Sequence, residues 1–169
     1  MPAGSTYTPI ATTTLGSAAN QVTFSSIAGT YTDIVAICSI KATTGSNEVL
    51  RAQVNGDTGS NYSYTYLQGV STGAESGRAS NSTLILAQAG NQAIPEAAST
   101  FAPYTVQFMN YSNTTTNKTI IARGAGTNQA GASVSLWRNT AAITSIRFYI
   151  AAGNFDTGST FTLYGIAAA

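Results

Sequence analysis

Apolar and polar side chains alternate with a period of two along most of this chain. Between residues 20 and 27, for example, Val22 and Phe24 fall on one side of an extended backbone while Thr23 and Ser25 fall on the other. A strand with one buried face has this period, whereas an amphipathic helix repeats about every 3.6 residues. The pattern predicts strands over residues 20–27, 32–41, 48–54, 61–67, 83–88, 104–111, 118–123, 133–137, 143–150 and 160–166.

The segments between these strands carry turn and loop residues. The Asn55-Gly56-Asp57 sequence is of the kind that hairpin turns prefer. The Gly- and Ser-rich residues 69–82 and 124–131 predict two long loops. Residues 92–99 are the one segment compatible with a short helical turn.

Strand-forming residues dominate the whole chain, and the apolar period never settles at a helical value. Neither a change in composition nor an internal repeat divides the sequence. We therefore expect an all-β fold, an antiparallel sandwich or barrel, in a single domain over residues 11–169. Residues 1–10 are expected to form an N-terminal arm.

The chain is poor in the side chains that carry out acid–base and covalent chemistry. Its 169 residues contain no His, one Cys and six Asp or Glu residues. General acid–base catalysis, activated nucleophiles and most transition-metal sites depend on those groups. We therefore expect no enzyme activity, no catalytic residues and no cofactor. Cys38 lies in an apolar run, which favours a buried, inert thiol.

Charged residues make up 8% of the chain, compared with about a quarter in typical globular domains. Solubility must then rest on hydroxyl and amide groups, and Ser and Thr together number 44. A folded protein with so little charge tends to associate, which favours a surface that partners cover. The seven Lys and Arg residues form no basic run, so we expect no nucleic acid partner.

Two further sequence signals concern location. No stretch approaches the roughly 18 apolar residues of a membrane span, so no membrane partner is expected. The first residues lack the positive start and apolar core of a signal peptide. These signals predict synthesis in a cytoplasm without export by a standard signal.

The loop from Asn55 to Asn61 combines oxygen-bearing side chains with two glycines. This composition is faintly similar to a calcium loop, but a calcium loop of the usual kind ends in a bidentate Glu that is missing here. A plain turn is the favoured interpretation, and no metal site is expected.

Two aromatic motifs have competing interpretations. Tyr62, Tyr64 and Tyr66 share one face of a predicted strand, where they would form part of the core, a subunit interface or a platform for sugar stacking. Trp137 and Arg138 end another strand; such a Trp usually lies in the core or at a rim, although Trp and Arg are also favoured interface anchors.

Several blocks of the sequence resemble small virion proteins of tailed bacteriophages. The similarity spans almost the whole chain and consists of strands and turns instead of catalytic signatures. It is carried by residues 7–18, 22–27, 29–33, 54–63, 109–115 and 158–166. The resemblance implies a β-sandwich of jelly-roll type that is exposed on the virus particle.

This resemblance leads to a functional hypothesis. We expect a capsid decoration or cement protein that binds the major capsid protein across capsomer boundaries and is located in the virion after synthesis in the host cytoplasm. The alternative is a tail fibre, adaptor or receptor-binding module that contacts tail proteins or host surface glycans. The chain has no repetitive shaft, which favours decoration, and the missing His argues against a phage hydrolase.

Self-association as a homotrimer is also expected, because jelly rolls on virions commonly meet around three-fold positions and a closed ring removes exposed strand edges. The candidate partner-binding residues are Pro2, Tyr7, Pro9, Ile10, Tyr62, Tyr64, Tyr66, Trp137 and Arg138.

Overall fold

The computed structural model describes residues 6–43, 48–88, 94, 100–126 and 129–167. Within them there is no helix, so none that is long and apolar enough to cross a membrane. The described strands are β1 (Tyr7–Thr14), β2 (Gln21–Phe24), β3 (Asp33–Ile40), β4 (Arg51–Val54), β5 (Tyr62–Val70), β6 (Gly73–Ser82), β7 (Ile85–Leu86), β8 (Ala102–Phe108), β9 (Lys118–Gly126), β10 (Gln129–Trp137), β11 (Ile146–Tyr149) and β12 (Thr160–Ile166).

These strands form two antiparallel sheets. The large sheet has eight strands in the order β1-β12-β3-β8-β9-β10-β5-β6, and the small sheet has four in the order β2-β11-β4-β7. The core lies between the two sheets, where the inward-facing side chains of both are buried. The expected all-β sandwich is therefore confirmed. The short helical turn expected within residues 92–99 falls almost wholly outside the described residues.

Four strand pairs are nested along the chain. Strand β1 pairs with β12, β2 with β11, β3 with β8 and β4 with β7, all antiparallel. The same nested pairing would arise if one long hairpin were rolled up. Successive strand pairs then lie alternately in the large sheet and in the small sheet. The resulting neighbours, β1-β12-β3-β8 over β2-β11-β4-β7, give the strand order of a jelly roll.

Two hairpins are inserted into this arrangement. Strands β5 and β6 lie between β4 and β7 in sequence, and β9 and β10 lie between β8 and β11. Both hairpins join the large sheet and widen it from four strands to eight. We call β1, β12, β3 and β8 the jelly-roll half of the large sheet, and β9, β10, β5 and β6 the added half.

Side chains of the added half hydrogen-bond the edge of the small sheet. Strand β7 pairs with β4 on one side only, so its other edge has unpaired backbone groups. The Ser133 hydroxyl donates to the Leu86 carbonyl over 2.8 Å, and the Leu86 N–H donates to Ser135 Oγ over 3.2 Å. Both serines are buried, so these bonds replace water at the edge.

Aromatic side chains bridge the two sheets at the centre of the core. Phe148 of β11 lies 6.4 Å from Phe108 of β8 and 5.8 Å from Phe161 of β12, measured between ring centroids. Phe155 packs edge-on against Phe161 at 5.0 Å. All four rings are fully buried, so the small sheet is joined to the jelly-roll half by apolar packing.

The structure differs from the sequence-based expectation at the N-terminus. Residues 7–10 of the expected arm lie in β1, where Tyr7 pairs with Ile166 and Thr14 with Thr160. Residues 1–5 lie outside the described residues. A bulge between Pro9 and Ala11 shifts the register of this edge strand.

The two loop predictions were wrong. Residues 69–82 contain the end of β5 and all of β6, and most of residues 124–131 belong to β9 and β10. Strand β6 is at the sheet edge and is largely exposed, so its sequence has no apolar alternation to reveal it.

The turn at Asn55 and Gly56 forms as expected, with the Asp57 N–H donating to the Val54 carbonyl over 2.9 Å. Both central residues have positive φ, 53° and 66°. The turn does not close a hairpin, however, because it leads from β4 in the small sheet to β5 in the large sheet.

Candidate interaction surfaces

The loop that follows β4 is anchored by one carboxylate. Asp57 accepts hydrogen bonds from the Trp137 indole (2.7 Å), the Asn61 amide (3.0 and 3.1 Å) and the Gly59 N–H (2.9 Å). Its backbone carbonyl accepts a bond from the Tyr62 hydroxyl over 2.9 Å. Asp57 therefore holds two buried aromatic side chains, Trp137 through its carboxylate and Tyr62 through its backbone carbonyl.

The charge state of Asp57 follows from these contacts. Partial burial alone would raise the pKa of the carboxyl, but the hydrogen bonds from Trp137, Asn61 and Gly59 outweigh that effect and lower the pKa. The ionised carboxylate is the form that accepts these bonds. Among the described residues, no three His, Cys, Asp or Glu side chains come together as metal ligands would.

Two of the candidate partner-binding residues are buried in the domain. Tyr62 has no exposed side-chain area, and Trp137 is 1% exposed. Arg138 is exposed, but its guanidinium donates to the Ser60 carbonyl over 2.6 Å and to the Asn81 amide oxygen over 3.1 Å. This end of the added half is thus stabilised by contacts within the chain.

Tyr64 and Tyr66 are half-buried on the same face of β5 as Tyr62. The Tyr66 ring covers Gly77 of the neighbouring strand, where an added Cβ would lie 2.6 Å from the ring. Tyr66 thus packs against the backbone of β6. It leaves less ring surface for a partner than an unobstructed tyrosine would.

The remaining candidates lie at the opposite edge of the large sheet. Tyr7 is 52% exposed and its ring meets Tyr164 edge-on, with 6.2 Å between the centroids. Pro9 is exposed, whereas Ile10 packs against the core. Pro2 lies outside the described residues. The structure therefore separates Tyr7 and Pro9 from the tyrosines of β5 by the width of the sheet.

The strand pairing reveals a surface that the sequence did not: the outer face of the large sheet, which faces away from the small sheet. We define the outer face by two rows of cross-strand neighbours. The first row is Thr12, Thr162, Ile37, Thr105, Arg123, Ala132, Leu67 and Ser76. The second is Pro9, Tyr164, Val35, Gln107, Ile121, Val134, Thr65 and Arg78.

The outer face has little charge and considerable apolar exposure. The first row contains a single charged residue, Arg123, and the second row also contains a single charged residue, Arg78. Ile37, Val134 and Leu67 are 45%, 50% and 66% exposed. Single exposed apolar residues are normal on a protein surface, but Leu67 and Val134 lie on the neighbouring strands β5 and β10, and adjacent exposed apolar side chains on a face with few charges are typical of an interaction site.

A groove of about 410 Å³ crosses this face above the added half. Four hydroxyl side chains, one guanidinium and two apolar side chains contribute to its lining. They are Ser63, Thr65, Ser80, Thr119, Arg78, Val134 and Leu136.

Lys118, at the start of β9, is buried. Its ammonium donates to the Thr116 carbonyl over 2.7 Å and to the Thr140 carbonyl over 3.0 Å. Desolvation lowers the pKa of this amine. Cys38 is fully buried, and burial raises the pKa of its thiol. Neither group is accessible to a partner in the described structure.

Comparisons with known proteins add no assignment. No protein-family model matches this chain, and neither the curated proteins nor the solved structures contain a match.

Proposed function

We propose that this chain is a structural protein of a bacteriophage virion, a decoration or cement protein that binds the head surface across capsomer boundaries. The observation that carries the proposal is the outer face of the large sheet, with Ile37, Val134 and Leu67 exposed among hydroxyl side chains. Such a face is stabilised when another surface covers it. The sequence resemblance to phage virion proteins supports the proposal that the protein belongs to a virion.

A cement function needs burial of surface and no chemistry. Apolar area removed from water contributes about 25 cal/mol per Å², and a standard interface buries about 800 Å² on each partner. Contacts of this size that cross a boundary between shell subunits must break before the shell opens. Shell stability is then linked to occupancy by this protein.

The two edges of the large sheet bear on the proposed homotrimer. At one edge, Pro9 has no N–H to donate and a bulge follows it, which are two features that block strand pairing. At the other edge, β6 pairs regularly with β5 from Gly73 to Ala79 and carries no proline. A neighbouring copy that covers β6 would remove the open edge, which favours a closed ring of subunits.

The proposal is tested by measuring attachment of the protein to virions. Copies per particle, determined by quantitative mass analysis, should reach hundreds for a head protein. Leu67→Asp places a charge on the outer face and should abolish attachment, while Ala141→Asp, at an exposed loop position, should attach normally. Particles that lack the protein should release DNA at a lower temperature than complete particles.

A second candidate function is supported by the groove on the outer face. Hydroxyl groups beside Arg78 suit the polar groups of a host surface glycan, as a tail receptor-binding module requires. Equal heat resistance of deficient and complete particles, together with lost adsorption to host cells, would reject the cement function in favour of this one.

A further inference from the structure

The outer face of the small sheet carries an arginine whose guanidinium is fixed in place. Arg147 of β11 lies over the Tyr149 ring, with 4.5 Å between Cζ and the ring centroid. Its Nη1 donates to Gln53 Oε1 over 3.1 Å, and the Gln53 amide in turn donates to the Thr83 carbonyl over 2.8 Å. The guanidinium is therefore oriented before any ligand arrives, which reduces the entropy lost on binding.

A second arginine lies beside the same tyrosine, on the neighbouring strand. Arg51 of β4 is directly opposite Tyr149 in the strand register, so the two side chains share the outer face. Burial raises the pKa of Tyr149, while Arg51 and Arg147 act in the opposite direction. Both guanidiniums thus influence the phenol. We call Arg51 and Arg147 the arginine pair.

The described carboxylates of this chain are all occupied elsewhere. The single described ion pair joins Lys41 and Asp156 over 3.0 Å. The other described carboxylates accept hydrogen bonds from neutral groups. Glu48 accepts from the backbone N–H groups of Ala151 and Ala152, and Glu75 accepts from the Gln68 amide. Asp33 accepts from Gln107 and Asn110, and Asp57 accepts from the three donors described above. Within the described residues, none of them forms an ion pair with the arginine pair.

The shape around the arginine pair favours a broad partner. Strands β2, β11 and β4 pair without a register shift, so they form a regular sheet face. Small ligands are usually held in concave sites, whereas a flat face suits another protein.

We propose that the arginine pair binds carboxylate side chains on the surface of a different protein chain. Guanidinium groups form paired hydrogen bonds with carboxylates, and Tyr149 adds a hydroxyl to the same sheet face. The inference deepens the proposed function and rests on it for the identity of the partner, a neighbouring shell subunit. The sandwich would then contact one subunit through the large sheet and another through the small sheet, as a bridge across a boundary requires.

The binding chemistry is tested first with a hexaglutamate peptide, followed by ¹H–¹⁵N NMR of the full chain. The Nε–Hε signal of Arg51 and the backbone amide signals of β11 should shift and saturate. The double variant Arg51→Gln/Arg147→Gln should bind the peptide at least about tenfold more weakly. Arg123→Gln removes an unpaired arginine from the large sheet instead and should bind like the natural chain.

Several results would overturn the inference. Because the double variant removes two charges and Arg123→Gln removes one, weakening by Arg123→Gln of about half the size, in binding free energy, would show that only net charge matters. Tighter binding of a hyaluronate oligosaccharide than of hexaglutamate would assign the site to carboxylated sugars. A dimer mass that disappears in the double variant would assign the face to a second copy. Unchanged melting of the double variant is the control for folding.

Attachment to virions separates this inference from the proposed function. If the natural chain attaches and the double variant loses attachment, both stand. If both attach equally, the proposed function stands and the arginine pair has no role in docking. If the natural chain is absent from virions but still binds hexaglutamate through the arginine pair, the proposed function fails while the carboxylate site remains.

Discussion

The two halves of the large sheet bury different kinds of side chain. In the jelly-roll half, the inward positions are almost all apolar, as in Ile34, Phe108 and Leu163. In the added half they include Ser133, Gln68 and half-buried tyrosines. Apolar burial without directional bonds stabilises the first half, whereas the second depends on individual hydrogen bonds and on tyrosines that cover glycines. Substitutions should therefore act differently in the two halves.

The largest effect is expected where the jelly-roll half meets the small sheet. Phe148→Ala removes a fully buried ring that contacts Phe108 and Phe161, and should lower the free energy of unfolding by about 3–5 kcal/mol. Thermal denaturation followed by circular dichroism measures it, as a fall in Tm of roughly 10 °C. Phe101→Ala is the control, because Phe101 is 38% exposed, and it should cost about 1 kcal/mol or less.

Two glycines covered by tyrosines allow a matched comparison. Gly124→Ala would push a methyl group into the ring of Tyr104, which is buried, and to 3.0 Å from the Pro103 carbonyl. Because the Tyr104 ring has no room to move, the free energy of unfolding of this variant should fall by about 2–3 kcal/mol. In Gly77→Ala the added methyl group meets the ring of Tyr66, which is half-exposed and can rotate away. The free energy of unfolding should therefore fall by less than about 1 kcal/mol. Urea denaturation of both variants measures the losses, and equal losses would contradict the contrast between a buried and a half-exposed tyrosine ring.

The smallest effect is expected at the polar anchor of the added half. The Asp57 carboxylate accepts hydrogen bonds from three donors, whereas the amide of Asp57→Asn must turn an N–H toward one of them. This substitution should lower the free energy of unfolding by about 1–2 kcal/mol at this partly exposed site. Because the folded pKa of Asp57 is lowered, its stabilisation is complete above the unfolded pKa of about 3.9 and disappears as the pH falls through the folded value.

The difference in unfolding free energy between the natural chain and Asp57→Asn should therefore be constant near neutral pH and shrink below about pH 4. Denaturation curves for both chains across this range measure it. A difference that stays constant down to about pH 3 would show that the carboxylate does not anchor the loop.

The same contrast explains which strands could be predicted from the sequence. Strand β12 was predicted with its observed bounds, and β3 to within a residue at each end, because their alternation or apolar runs reflect burial. Strand β6 has no apolar periodicity, since one edge and most of its side chains are exposed, and its glycines indicated a loop. Strand β1 contains Pro9 and a bulge, which broke the pattern.

The candidate surfaces depend on pairing, which a single sequence does not reveal. Tyr62 and Trp137 are typical interface residues by type, but here they lie under the loop that Asp57 anchors. Arg51 and Arg147 occupy outward positions of two predicted strands, so their place on an outer face could have been anticipated. That they flank one tyrosine follows only from the pairing of β4 with β11.

The position of β12 has a consequence for biosynthesis. This strand is hydrogen-bonded to β1 on one side and to β3 on the other, although it is made long after both. While the ribosome is still adding residues, β1 and β3 have open edges and no partner between them. The large sheet can close only after Ile166 has emerged. Closure of the large sheet thus waits for the synthesis of β12, and until then the edges of β1 and β3 are open to pairing with other chains.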